Sequence, residues 1–247
     1  MEQDSKITAE SPGGVETVYY KSIDSTNTQA KRLLKEGKKP PFLVVAGQQT
    51  AGRGRQGKSF FSPDKTGIYM SLVIEEDKNT DFVKMTAAAA VSVCMAIEAL
   101  TDKKPEIKWV NDIFLGEKKI CGILCESVID GNSSVPVIIG IGLNVTTSQF
   151  PDGLENAGSL SAAVSHSALT GEITKNLLRL SKSDISAFID YYRSRSMLIG
   201  KEIVFFENGK ECEALAVGVD ENCALTVKTK SGEIKKLNSG EITVRQK

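Results

Sequence analysis

Residues 135–145, VPVIIGIGLNV, constrain the fold more than any other stretch of the chain. A run this apolar, without polar alternation, does not suit a strand with one wet face. It reads as a central strand buried on both faces. Such a strand needs paired neighbours and a covering layer on either side, so the chain must build a sheet flanked by helices. Its one amide, Asn144, stands near the end, where a buried polar group needs a partner.

The rest of the chain supplies those parts. Residues 16–23 are β-branched and aromatic and read as a strand. Asp24, Ser25, Thr26 and Asn27 then offer several N-caps for a helix through Lys35, with Gly37 as its stop. Residues 42–46 and 67–74 read as strands, and 81–100 as a helix capped by Asn79 or Thr80. Its most hydrophobic part, 84–98, is alanine-rich, too short to span a bilayer, and suited to packing across a sheet. Residues 106–115 and 120–129, joined by the polar turn 116–119, predict a β-hairpin. With 108–112 extended, Lys108 and Asp112 share one face and Ile107 and Trp109 the other, while Lys119 opens the returning strand and can swing back. A loop over 146–158 follows, then a helix at 159–167 and an amphipathic one at 177–195.

The pattern changes at Gly200. Short alternating strands are separated by turns at 208–209, 220–222, 231–232 and 239–240, the signature of a small barrel. The expected class is α+β: a flexible tail over 1–15, a mixed β-sheet domain covered by helices over 16–199, and a small C-terminal β-barrel over 200–247 that leans on it.

Between the second and third strands lies 47–63, GQQTAGRGRQGKSFFSP. Gly52, Gly54 and Gly57 let backbone amides approach an anion, and Arg53 and Arg55 recognise carboxylate or phosphate oxygens. An oxyanion-binding loop is one reading; a flexible surface loop or an arginine-glycine stretch on nucleic acid are the others. Charge helps to choose. Lys+Arg and Asp+Glu are both 31, so no global basic field serves a nucleic acid or an anionic membrane, and a local basic loop suits a small anionic ligand. The five cysteines are odd in number and form no C-x-x-C pair, which fits free thiols rather than a metal site or a disulfide framework. The polar amino terminus has no apolar core of a secretory signal, so a cytoplasmic protein is expected.

Taken in order, STN (25–27), QTAGRGRQG (49–57), KWVND (108–112), KICGILCE (119–126) and GIGLNV (140–145) resemble the biotin protein ligases. The resemblance runs from about Val18 to the end, where 217–242 is similar to that family's C-terminal barrel of the Src-homology-3 type. It implies an enzyme that joins biotin to ATP, with Mg2+, to give biotinyl-AMP. The biotin then passes to a lysine on the biotin-carrier domain of a carboxylase. By resemblance, Ser25, Thr26, Asn27 and Gln49 lie near biotin, and Arg53, Gly54, Arg55 and Lys119 near its carboxylate. Arg55, Lys58, Phe60, Lys108, Asn111, Asp112 and Asn144 are implied on the nucleotide side, with Lys119, Asp112, Arg53 and Arg55 as the catalytic set and Asp112 near the metal. No nucleic-acid-binding module is expected ahead of the first strand; a homodimer is an open expectation.

Three residues depart from the family pattern. Val110 replaces a usual proline, Gln56 a frequent arginine, and Phe60 a tryptophan that packs on adenine in many bacterial members. Val110 is expected to keep an extended strand. With three glycines and two mutually repelling arginines, loop 47–63 is expected to be mobile when empty. A lipoate ligase or octanoyl-transferase of the same fold is the rival, and the latter would use Cys121 or Cys125 as a thiolate nucleophile. A biotin-binding module without chemistry is a further alternative. His166 is given no catalytic role.

Overall fold

The computed structural model of the chain describes residues 7–10, 13–77, 80–128, 134–207, 210–238 and 245–246. Its centre is β8 (Ser134–Asn144), hydrogen-bonded to β4 (Gly67–Asp77) on one side and β7 (Lys118–Ser127) on the other. Beyond β4 come β3 (Phe42–Gln49), β2 (Glu16–Ile23) and β1 (Ile7–Glu10); beyond β7 come β6 (Asp112–Leu115) and β5 (Glu106–Lys108). The sheet therefore has eight strands, antiparallel except for the β2–β3 pair. A parallel pair needs a crossover, and α1 (Thr26–Lys35) supplies it.

Each face of the sheet has its own cover. Ala30 and Leu33 of α1 pack with Val18, Phe42, Val44, Val73 and Ile138 on one face. On the other, α2 (Phe82–Leu100) and α3 (His166–Ser181) bury Met70, Leu72, Ile139, Ile141 and Leu143. The central strand is thus covered on both sides, as its composition demands. By length and composition α2, at 19 residues, is long and apolar enough to cross a bilayer, contrary to the shorter stretch read from the sequence. Here its middle, from Met85 to Cys94, is buried in the protein core.

Several boundaries differ from those expected. Residues 7–10, read as tail, pair antiparallel with β2 as an edge strand. The cap of α2 is Asp81, whose carboxylate accepts from the Val83 and Lys84 amides; Thr80 does not fill that place, and Asn79 lies outside the described residues. The helix expected at 159–167 is absent. Ser165, accepting from the Ala168 amide, starts α3 at His166 instead. The long helix expected at 177–195 is divided: α3 stops at Ser181, Asp184 caps a 3-10 turn (Ile185–Ala187), and α4 (Ile189–Ser194) follows.

Residues 109–111 form a turn, not an extended strand. Lys108 ends β5 and Asp112 begins β6, so the two face each other across a tight hairpin. Val110 is buried in this turn rather than extended, and the Trp109–Val110 peptide is cis. What overrides the β-propensity of Trp and Val is tertiary: the Trp109 indole donates to the Cys223 carbonyl (2.8 Å), and Tyr192 Oη lies 3.5 Å from the Val110 carbonyl.

Cys223 lies in the turn between two strands of the second sheet, which comprises β9 (Glu202–Glu207), β10 (Lys210–Val219), β11 (Leu225–Thr229), β12 (Ile234–Leu237) and β13 (Arg245–Gln246) and is antiparallel throughout in the order β12-β11-β10-β9-β13. The turns expected near 220–222 and 231–232 are present; those at 208–209 and 239–240 lie outside the described residues. Ile203, Phe205, Ala216, Leu225 and Val227 are fully buried and continuous with the main core. Trp109 is thus a tie between the two sheets. Trp109→Phe keeps an aromatic six-membered ring but removes the pyrrole part of the indole and with it the donor to the Cys223 carbonyl, and is expected to cost at least about 1–2 kcal/mol. Urea midpoints of the two proteins measure it; equal midpoints would show that the bond contributes nothing net.

Candidate active site

The two faces of β8 are not alike. Toward α2 and α3 it presents Val137, Ile139, Ile141 and Leu143. On the α1 face the sequence reads Ile138, Gly140, Gly142 and Asn144, because alternate residues share a face. Only Ile138 packs against the α1 cluster. β7 runs in phase, with Cys121, Ile123 and Cys125 toward α2 and Gly122, Leu124 and Glu126 on the other face. At the N-terminus of α1 the glycines leave room above the sheet, and there a cavity of about 500 Å³ opens. Its size is that of a small-molecule site.

Glycine is required on this floor. A Cβ at Gly140 would overlap Asn27 Oδ1, and one at Gly142 would lie 2.5 Å from Phe60 Cε1. The two neighbours differ in how far they can give. Phe60 comes from a loop, whereas Asn27 is held from three directions: Ser71 Oγ lies 2.6 Å from its Oδ1, and its Nδ2 donates to Glu126 Oε2 (2.9 Å) and to the Leu124 carbonyl (3.3 Å). Gly140→Ala is therefore expected to destabilise by about 1–3 kcal/mol and Gly142→Ala by less, since the cost of overpacking depends on what can move. Denaturant titration of both variants tests the order; a larger loss for Gly142→Ala would overturn it.

The uncharged polar lining of the cavity is a connected chain. Ser25 takes the N-cap position of α1, yet its side chain caps nothing. The Thr26 amide donates to Gln49 Oε1 (2.8 Å), Thr26 Oγ1 stands 3.2 Å from the same oxygen and 2.7 Å from Ser71 Oγ, and Gln49 Nε2 donates to Ser62 Oγ (2.8 Å). Ser25, Thr26 and Asn27 are buried, and all three line the cavity. Buried hydroxyls and amides held this way present fixed donors and acceptors to a ligand.

The cavity lining is also cationic. Arg53, Arg55, Lys58, Lys108 and Lys119 line the cavity, and Asp112 is the one carboxylate among the lining residues. In a chain of net charge +0 this is a local concentration. Lys119 Nζ lies 2.7 Å from Asp112 Oδ1, closing the hairpin turn as the sequence suggested. Asn111 Nδ2 also donates to Asp112 (2.9 Å), and Asn111 Oδ1 accepts from Arg55 (2.9 Å). Lys108 Nζ sits 5.6 Å from the centre of the Phe114 ring.

The glycine-arginine loop is not self-repelling. Arg53 forks onto both oxygens of Glu126 (2.9 Å each) while Arg55 turns to Asn111, so each guanidinium has its own partner. Backbone bonds from Thr50 to Ile23, Ala51 to Asp24, Gly54 to Lys58 and Phe60 to Gly52 hold the loop, and Gln56 and Gly57 form its left-handed tip (φ 54° and 73°).

Glu126 is the residue that sequence reasoning passed over, although it closes the KICGILCE motif. It accepts from Arg53, from Lys31 (2.8 Å) and from Asn27, joining the loop, α1 and β7. Burial pushes its carboxyl up, but Lys31, Asn27 and Arg53 outweigh this and hold it below the ordinary value. A lowered carboxyl contributes stability above its unfolded pKa and loses it as pH falls through the folded one. Glu126→Gln should therefore be less stable than wild type by about 1 kcal/mol at neutral pH, given the exposure of its partners. The gap should close below about pH 4. Thermal midpoints across pH measure this; a gap independent of pH would assign the effect to packing.

Other expectations fall outside the cavity. Asn144 does not line it; its Nδ2 donates to the Gly158 carbonyl (3.0 Å), and its Oδ1 is buried without a partner among the described residues. Leu154 and Asn156, unforeseen, do line it, because Lys119 pairs through its backbone with Asn156 and Gly158. Cys121 lies in the core with its thiol pushed up by burial, and burial raises the Cys125 thiol to about 11, the opposite of an activated nucleophile. Among the described residues no three His, Cys, Asp or Glu side chains group as a metal site.

Two family models match the chain: the biotin/lipoate A/B protein ligase family over residues 19–144, and the biotin protein ligase C-terminal domain over residues 198–245. The bifunctional ligase/repressor BirA of Bacillus spizizenii is 32% identical over 241 residues, covering 93% of this chain and 74% of that one. A biotin–acetyl-CoA-carboxylase ligase of Paracoccus denitrificans is 26% identical, covering 85% of this chain and 92% of its own. Among solved structures, the biotin protein ligase from Aquifex aeolicus in complex with biotin and ATP superposes with a TM-score of 0.82 at 25% identity, over 94% of this chain and 99% of that one. The chain belongs to the biotin/lipoate A/B protein ligase family and carries the C-terminal domain of its biotin protein ligases.

Proposed function

We propose that the chain is an ATP-dependent biotin protein ligase, and that the cavity on the glycine floor is its active site. One observation carries the reading: a single cavity brings fixed, uncharged hydrogen-bonding groups of Ser25, Thr26, Asn27 and Gln49 together with five cations and one carboxylate. Biotin calls for both, with a neutral ureido ring at one end and a carboxylate at the other. The glycines beneath supply the depth for its apolar middle.

The reaction has two steps. The biotin carboxylate attacks the α-phosphorus of ATP; the new P–O bond gives biotinyl-AMP and the bond to pyrophosphate breaks. A lysine amine of a carboxylase's biotin-carrier domain then attacks the acyl carbon, loses a proton, and releases AMP. Joining a carboxylate to a triphosphate brings like charges together, so cations must offset the repulsion and stabilise charge growing at the α-phosphate. Lys119 and Arg55 are assigned that role, with Lys58 and Lys108 on the phosphates. Asp112, paired with Lys119, is assigned the orientation of the incoming amine. The one carboxylate suits a Mg2+ that arrives on the phosphates and keeps its waters, rather than an ion caged by protein. Phe60, which lies against Gly122 and Gly142, is assigned the adenine contact. The division into a catalytic part over 16–199 and a C-terminal part over 200–247 is supported by the two sheets and by the extents of the two family models.

Biotin-dependent exchange of labelled pyrophosphate into ATP, followed by transfer to a carboxylase carrier domain, tests the reading. Wild type is expected to do both. Lys119→Ala is expected to lose exchange by about a hundredfold or more, the scale of one removed transition-state donor. Failure of wild type in both assays would sink the proposal; normal exchange by the variant would remove Lys119 from the first step.

A further inference from the structure

A site that must hold an anion has an anion of its own beside its arginine. Glu126 occupies both terminal nitrogens of Arg53, at 2.9 Å each, in the paired geometry that a ligand carboxylate would itself adopt. Left in place, it would repel an incoming carboxylate and keep the guanidinium engaged. The surroundings of Glu126 show why the pair can be exchanged. Lys31 holds Oε1 at 2.8 Å and Asn27 holds Oε2 at 2.9 Å, so each oxygen keeps a donor after Arg53 departs. Removing one partner of a buried ion pair is costly because the other charge is stranded; here it is not stranded. Arg53 is the movable member. It sits on the loop with its side chain 41% exposed, against 18% for Glu126, which is anchored on β7.

We propose that Glu126 is a positioning residue that parks Arg53 in the empty enzyme and yields it to the substrate's carboxylate. In this role it is an internal surrogate for the ligand and a latch on residues 50–58. The empty loop is then held down by the Arg53–Glu126 pair, and substrate takes over the same guanidinium. Lys31 completes the device: with Arg53 it puts two positive charges around one carboxylate, so the cluster accepts one further negative charge without inverting in sign. The inference rests on the biotin reading only for the identity of the anion.

Two measurements on the full-length protein decide it. Hydrogen exchange over 50–58 without ligand is expected to be about three- to tenfold faster in Glu126→Gln than in wild type, the scale of one partly exposed, bidentate ion pair. Adding biotin and ATP should bring the two proteins to equal protection. Calorimetric titration with biotin should give a Kd several-fold lower in Glu126→Gln, with the KM for ATP unchanged, because the internal competitor is gone. A residue that only braces the site predicts the opposite sign, weaker biotin binding. Arg53→Gln cuts the latch from the loop side and should show the same fast exchange when empty, even where Glu126→Gln folds poorly. Unchanged empty-loop exchange in either variant overturns the proposal, as does weaker biotin binding in Glu126→Gln. If wild type itself fails to bind biotin, the ligand assignment falls, and the ligand-free exchange still decides the latch.

Discussion

The site depends on one strand having two unlike faces while being covered on both. β8 must be apolar toward α2 and α3, where each fully buried aliphatic contributes about 1.5–3 kcal/mol. Its other face is free to change character along its length, and it does: isoleucine under the body of α1, glycine at the helix's first turn and beyond, asparagine at the strand's end. β7 beside it sets Gly122 against Gly142, but Leu124 against Gly140 and Glu126 against Ile138. The cavity is therefore not carved out of the core. It is the space left when a covering layer stops and the strands beneath carry no side chains to fill it.

Around that space the charges are arranged in pairs that are half open to water. Lys119 with Asp112 and Arg53 with Glu126 are 18–41% exposed at their side chains, so each pair adds little to stability. What they add is position. An unpaired lysine on a flexible stem samples many rotamers, while one held against a carboxylate offers a defined charge to a phosphate or acyl oxygen. The same exposure keeps the pairs exchangeable, which a fully desolvated pair would not be.

Much of this was legible in the sequence, and the parts that were not share a cause. The central strand, the crossover helix and the closing lysine of the hairpin follow from apolar runs, cap residues and turn spacing, which are local. The turn at 109–111 carries no glycine or proline in its interior, and the force that makes it is a hydrogen bond to residue 223. The start of α3 depended on which of several serines would cap it, and propensity does not separate Ser159, Ser161 and Ser165. Glu126 read only as part of the strand at 120–129, because its three partners come from two other segments, around residues 27–31 and at residue 53. The glycines were visible, and glycine inside an apolar strand does signal close approach. What approaches them, Asn27 and Phe60, is known only once the strands are in register.

The indole of Trp109 belongs to this same geometry and gives it an optical property. It is the only tryptophan in the chain, it is 6% exposed, and it lines the cavity while its nitrogen donates to Cys223 in the turn between β10 and β11. The tryptophan emission of the protein therefore comes from one place, the seam where the turn at 109–111 meets the turn between β10 and β11. A ligand that displaces water from the cavity and a shift of the second sheet both alter the surroundings of one fluorophore. The chain carries its own single-site spectroscopic label, at the point where its two halves meet.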